Sequence, residues 1–314
     1  MRLPRIMMAP MAGITDAPYR KICRAMGLEL AYTEMVSSRG LIYENERTED
    51  YIINPDEPPS LGVQLFGNDP EVMASATKRL GEIGRYDFLD LNMGCPARKI
   101  MTNRDGCQLM RTPLLAGEII AAMRRVTQKP LSAKMRLGLT RSSVNVLEVA
   151  KRVEAAGADF IIVHGRTADQ MYTGRADWEM IAQVKEAMTI PVIGNGDIFS
   201  VRDYIDRQAY GVDGFMLARG IQGNPWLIRD ILLYEETGEI APPPTLRERV
   251  EVARRHLDEI ISIKGPGAIP EFRKHAGWYF KGIPGSAKFR AALSNLNSAA
   301  EFRELTEPWL DIQG

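Results

Sequence analysis

The stretch LNMGCPARK, residues 91–99, sets a cysteine where an apolar run ends, between a glycine and a proline. The chain has three cysteines, Cys23, Cys95 and Cys107. A thiol outside any regular pattern is either incidental or a reagent. Other polar side chains stand in the same relation to short apolar runs. Pro10 and Met11 follow IMMA, Glu34 ends LAYTE, Gln64 lies in VQLFG, and Lys134 and Arg136 in KMRLG. His164 follows IIV, Asn195, Gly196 and Asp197 lie in IGNGD, and Arg219 follows FMLA. Singly, each has an ordinary explanation: a solvated lysine, a histidine satisfying a carbonyl, an amide capping a turn. Their joint placement at run ends does not. The last two runs add glycines, in GNGDI and ARGIQGNPW, whose exposed N–H groups, with Arg219, suit a phosphate. Amide, lysine and histidine groups around a phosphate suit a phosphorylated planar cofactor. Flavin mononucleotide (FMN) fits, since Gln64 and Lys134 can engage the carbonyl and nitrogen edge of its ring.

The elements that must position these groups alternate along the chain. Apolar runs at 6–13, 30–36, 60–67, 88–94, 130–138, 159–167, 191–198 and 214–220 are separated by longer, mostly helical segments. Val146, Ala150 and Val153 fall at i, i+4, i+7, and Ile181, Val184 and Met188 at i, i+3, i+7, both helical spacings. Thr112 before Pro113 and Gly157 after the fifth helix read as helix ends. The runs are short and almost continuously apolar, as parallel strands covered on both faces should be. Eight strand–helix units predict an α/β fold, a TIM (β/α)8 barrel, with its chemistry at the C-terminal strand ends. An open doubly wound sheet lacks support, because no GxGxxG turn follows the first strand. After the stiff APPPT linker (241–245) the pattern turns wholly helical. The expected division is a barrel over 1–240 and a small all-helical domain over 241–314.

Composition narrows the function classes. The 314 residues carry 40 Lys plus Arg against 40 Asp plus Glu, so no global field draws a polyanion and any such partner needs a local patch. One candidate is EFRKHAGWYFKGIPGSAKFR (271–290), where Arg273, Lys274, Lys281, Lys288 and Arg290 alternate with Phe272, Trp278, Tyr279, Phe280 and Phe289. Phosphate contacts beside aromatic surfaces suit RNA, whereas the aromatics alone, Trp278 and Phe280 above all, fit the core of a small domain. Three cysteines without a CxxC pair argue for a reducing compartment, and no cluster has metal-ligand spacing. With no long apolar run the expectation is a cytoplasmic protein with no membrane role, working as a monomer. Cys23, beside Ile22 and Met26, reads as core.

APMAGITD, VQLFG, LNMGCPARK, KMRLG, VHGRT, GNGDI, ARGIQGNPW and RKHAGWYFKG together resemble the tRNA-dihydrouridine synthases, nearest to the bacterial DusB-type branch. The resemblance covers about residues 5 to 290. It implies an FMN-binding catalytic barrel and a helical domain that helps to hold tRNA. NADPH is the implied reductant, and the reaction is reduction of a uridine C5–C6 double bond to 5,6-dihydrouridine. By matching position the flavin contacts would be Pro10, Met11, Ala12, Gln64, Lys134, His164, Asn195, Gly196, Asp197, Ala218 and Arg219. Substrate and RNA would meet Asn92, Arg136, Arg273, Lys274 and Lys281, while Arg166, beyond His164, could reach RNA or a loop carboxylate. Cys95 would be the proton donor, a role suited to a thiol, whose ordinary pKa of about 8.5 keeps it protonated at neutral pH.

The sequence departs from the family after CPARK, where a glycine-rich run is usual and IMTNRDGCQLMR stands instead. Cys107, twelve residues beyond Cys95, is near enough along the chain for a loop disulfide if geometry permits. Two other functions compete with the implied one. A flavin barrel could act on a free pyrimidine or another RNA, and an RNA-binding protein could reuse a barrel without turnover.

Overall fold

The computed structural model describes residues 3–43, 57, 59–283 and 286–310; the side chains of Lys288 and Arg290 lie outside the described residues. Eight parallel strands close on themselves in sequence order: β1 Ile6–Met8, β2 Leu30–Ser37, β3 Leu61–Phe66, β4 Phe88–Met93, β5 Leu131–Arg136, β6 Phe160–His164, β7 Val192–Asn195 and β8 Gly214–Leu217. The expected (β/α)8 barrel is therefore present. Seven strands lie within the runs expected from their apolar character, and β2 extends one residue past its run, to Ser37. Helices Pro70–Ile83, Pro113–Val126, Val146–Ala155 and Trp178–Ala187 cover the sheet with Met73, Ile119, Val149, Ile181 and their neighbours buried.

Local chemistry sets the helix ends. Asp69 accepts from the N–H groups of Glu71 and Val72, with Pro70 at the first helical position. Thr112 precedes Pro113 as expected but makes no side-chain cap bond, so the proline alone marks that start. Gly157 has φ +102 and donates to Glu154 O, which ends the helix before it.

Register decides which side chains line the barrel. Alternate residues point inward. An apolar floor is built from Met7, Leu30, Tyr32, Phe160, Ile162, Ile193 and Met216, all buried. Toward the C-terminal ends the inward positions turn polar. In β4 the inward series runs Phe88, Asp90, Asn92; in β5 Ser132, Lys134, Arg136; in β6 Phe160, Ile162, His164. The pairings Gln64 with Asp90, Asn92 with Lys134, and Arg136 with His164 and then Asn195 join these groups across neighbouring strands.

The described chain forms two compact units, and the second is discontinuous: residues 16–28, 199–201 and 219–314 pack together. Its core gathers Trp226, Val250, Leu257, Phe272, Tyr279, Phe280, Phe289 and Phe302. Helix Leu246–Lys264 opens with a capping box in which Thr245 and Glu248 satisfy each other's N–H groups. It joins helix Ala17–Ala25 through Lys21 and Glu259, 2.6 Å apart. Helices Trp226–Thr237, Ile269–Tyr279, Ser286–Leu293 and Ala299–Leu310 belong to the same unit. The aromatics of 272–280 are largely its core: Phe272, Tyr279 and Phe280 are inaccessible, and Trp278, half-buried, packs edge-on to His275. Cys23 is fully buried, as expected. Among the described residues no helix is long and apolar enough to cross a membrane.

Candidate active site

The barrel unit brings Gln64, Asn92, Lys134, His164 and Asn195 into one inward-facing layer, with the Cys95 loop rising from the end of β4. Lys134 donates to Asn195 Oδ1 at 3.2 Å, while Asn195 Nδ2 donates to Met216 O at 2.7 Å. A backbone carbonyl only accepts, so this second bond fixes the Asn195 amide orientation. Burial and the nearby Arg136 guanidinium pull Lys134 down to about 8. It is a partly buried ammonium whose hydrogen bond goes to a neutral oxygen. Such a group attracts an anion or an electron-rich ring edge.

On the other side of the layer, Asn92 Oδ1 accepts from the N–H groups of Gly94 (3.2 Å) and Cys95 (3.0 Å), and Asn92 Nδ2 donates to Gln64 Oε1 at 2.6 Å. Gln64 Nε2 in turn donates to Asp90 at 2.6 Å. Cys95 is partly exposed, and its carbonyl accepts from the N–H of Cys107 at 3.1 Å. Gly106, at φ +60, makes this turn possible: a Cβ there would lie 2.8 Å from Cys95 O. This glycine is the member of the usual glycine-rich run that remains. Cys95 and Cys107 are both free thiols, and burial pushes Cys107 up to about 12.

Two arginines expected to meet RNA are enclosed. Arg136 is 2% exposed and donates to Gly94 O, Thr167 O and Met171 O at 3.0, 2.9 and 2.8 Å. It thereby ties the cysteine loop to the loop after β6. Arg166 is 1% exposed and donates to Thr173 O, Gly174 O and Asp197 Oδ2, the last at 2.7 Å. Asp197, held at φ +51, also accepts from Ala176 N. These pairs brace the loop 165–176 against the end of β7. Arg166 also faces His164 Nε2 at 3.4 Å; a guanidinium only donates, so the imidazole proton belongs on Nδ1. Gly196 has φ +136, and a Cβ there would meet Ala176 and His164. Glycine is needed at that position for packing as well as conformation.

Pro10, Met11 and Ala12 follow β1, with Thr15 and Met11 bonding backbone to side chain at 2.9 Å. Gly13 N donates to Glu34. Ala218 ends the barrel unit. Arg219 belongs to the second unit, where it opens the turn Arg219–Ile221 and lies over the Phe199 ring at 5.4 Å. In that same unit Arg273 donates to Leu296 O and Asn297 Oδ1, whereas Lys274 and Lys281 are exposed.

Asp90 escaped the sequence reading. Only the alternation within FLDLNMG could have found it: a carboxylate two residues before Asn92 occupies an inward position that apolar packing does not explain.

A family model described as Dihydrouridine synthase (Dus) matches residues 7–312. A probable tRNA-dihydrouridine synthase of Rickettsia bellii is 39% identical, covering 93% of this chain and 90% of that one. The tRNA-dihydrouridine synthase B of Pseudomonas aeruginosa is 38% identical, with 93% and 88% covered. That of Yersinia pestis is 35% identical, with 96% and 95% covered. With a family match along nearly its whole length and relatives well above 30% identity, the chain belongs to the dihydrouridine synthase family.

Proposed function

We propose that this chain reduces the C5–C6 double bond of a uridine in tRNA, using FMN and NADPH, with Cys95 as proton donor. The observation that supports it is the polar layer itself: Gln64, Lys134, His164 and Asn195 on inward positions, beside a loop carrying a partly exposed thiol. The donor set suits FMN, because Lys134 and the second N–H of Gln64 offer a cation and a donor to an electron-rich ring edge. When bound, the flavin supplies hydride chemistry fed by NADPH. Lys134, charged below about pH 8, stabilises negative charge at that edge.

Protonation is the task of the chain's own residues. Hydride addition at C6 of uracil leaves carbanion character at C5, shared with the C4 carbonyl. Cys95 delivers its proton to C5, and the thiolate regains one from solvent through its partly open loop. Arg136 and Asn92 hold that loop, one at Gly94 O and the other at the N–H groups of Gly94 and Cys95. The uridine must leave its stack to enter, at a cost of a few kcal/mol. Exposed Lys274 and Lys281 on the helical unit contribute phosphate contacts toward that cost.

The test is spectroscopic. The purified protein should be yellow, bleach with NADPH under anaerobic conditions, and recover colour when unmodified tRNA is added. Cys95→Ala should bleach normally and recover roughly 10²–10⁴ times more slowly. A protein that does not take up FMN would sink the proposal. Recovery of Cys95→Ala at the wild-type rate would remove Cys95 from the acid role.

A further inference from the structure

Asp90 sits in the middle of β4, wholly buried, where an ionisable group persists only with partners. The backbone dictates which end of each amide faces which neighbour. The N–H groups of Gly94 and Cys95 can only donate, so the atom of Asn92 facing them is its oxygen. Its nitrogen then faces Gln64, whose facing atom must accept. Gln64 Nε2 is left to donate to Asp90 Oδ2. Ser132 donates to Asp90 Oδ1 at 2.6 Å, so both carboxylate oxygens accept. Direction is thus forced from the cysteine loop back to the carboxylate.

We propose that Asp90 is a positioning residue, whose carboxylate anchors a one-way hydrogen-bond chain through Gln64 and Asn92 to the backbone of the Cys95 loop. With the acceptor in place, Gln64 has one permitted amide orientation and Asn92 keeps its oxygen on the loop. Without it, Gln64 is held at one end only, by Asn92, and the clamp on Gly94 and Cys95 weakens. The significance of the clamp for protonation rests on the proposed role of Cys95; the chain itself does not. Burial raises Asp90 to about 6, so at neutral pH the carboxylate form is held in place against its own desolvation. The other titratable groups facing it are Tyr32, pushed up by burial, and Lys134, lowered to about 8.

Side-chain swaps test polarity separately from shape. Asn at position 90 can still present an oxygen to Gln64, while Ser132 turns its hydroxyl to Leu89 O, 3.3 Å away. Leu at position 90 keeps the forked side-chain skeleton, with bulkier methyl ends, and loses the acceptor. Gln64→Glu sets carboxyl against carboxyl, so the pair needs a shared proton. Adding Asp90→Asn to Gln64→Glu restores the chain, with the new amide donating to the new carboxylate and Asn92 still donating to its other oxygen.

The readout is the rate at which iodoacetamide alkylates Cys95 in the full-length chain, followed by peptide mass spectrometry and divided by the wild-type rate at each pH. It requires no flavin, tRNA or turnover, so it succeeds or fails independently of the proposed reaction. Between pH 5.5 and 7.5, Asp90→Asn should stay within about threefold of wild type, and Asp90→Leu should alkylate about tenfold faster, the weight of one hydrogen bond. Gln64→Glu should be near wild type at pH 5.5 and about tenfold faster at pH 7.5, and the double variant should remove that pH dependence. Asp90→Leu matching Asp90→Asn would overturn the proposal. Should the leucine variant not fold, a double variant no better than Gln64→Glu alone overturns it equally.

Discussion

Replacing Lys134 by methionine should stabilise the ligand-free protein while weakening its grip on FMN. The ammonium is partly buried, and its surroundings pull it from 10.5 to about 8. A cationic group whose folded pKa lies below its unfolded one costs stability while charged. That cost is fully present below pH 8 and disappears as pH rises toward 10.5. At 1.36 kcal/mol per unit, a depression of about 2.5 units corresponds to about 3 kcal/mol against folding at neutral pH. Methionine keeps the unbranched stem without the charge. Urea unfolding of the flavin-free proteins at pH 7 should find Lys134→Met more stable by up to about 3 kcal/mol. Wild-type stability should climb between pH 8 and 10.5 relative to the variant. FMN titration followed by flavin fluorescence should show the opposite order, with the variant weaker by at least tenfold below pH 8 and the gap narrowing above it. A variant less stable than wild type at pH 7, with equal FMN affinity, would refute the reasoning, because Lys134 would then be an ordinary packed side chain.

Two further outcomes concern the helical unit. Lys274→Glu should lower the slope of log affinity for tRNA against log salt by about one, the weight of one phosphate contact, and leave NADPH oxidation unchanged; an equal slope would remove Lys274 from the interface. Gly223→Ala should destabilise the unit by about 3 kcal/mol in urea unfolding, since its φ is +65 and the new Cβ would lie 2.4 Å from Trp278 backbone carbon. A loss under 1 kcal/mol would mean that the Trp278 segment shifts freely.

What the sequence made legible follows from what periodicity encodes. Barrel strands are covered on both faces, so their apolar runs stand out, and the polar residue ending each run marks the rim of the candidate site. Gln64, Lys134, His164 and Asn195 were readable for this reason. Arg136 was readable as a chemistry-bearing side chain but not as a brace, and for Arg166 the sequence left RNA and a loop carboxylate open, of which Asp197 is the partner found. Their other partners, Gly94 O, Thr167 O, Met171 O, Thr173 O and Gly174 O, are backbone carbonyls, which carry no side-chain signature. The aromatics at 272–280 illustrate the converse. Helical spacing puts Phe272, Ala276, Tyr279 and Phe280 in the core, leaving Lys274 and Lys281 for solvent. Asp90 was hidden because one acidic residue in an apolar run has no period, and its meaning depends on Gln64, contributed by the neighbouring strand.

Burial pushes Asp90 and Lys134 toward neutrality from opposite sides, to about 6 and about 8, on adjacent strands and one inward position apart. Opposite buried charges usually lower their shared cost by pairing directly. Here each is satisfied by neutral groups instead: Asp90 by Gln64 and Ser132, Lys134 by Asn195. A direct ion pair would occupy the ammonium with an internal carboxylate, and a ligand would have to displace that carboxylate. Separation by amides keeps the lysine's charge available to an incoming anion and reserves the carboxylate's acceptors for the chain leading to Cys95. Between about pH 6 and 8 both groups are ionised, which is the combination that the proposed ring binding and loop positioning require.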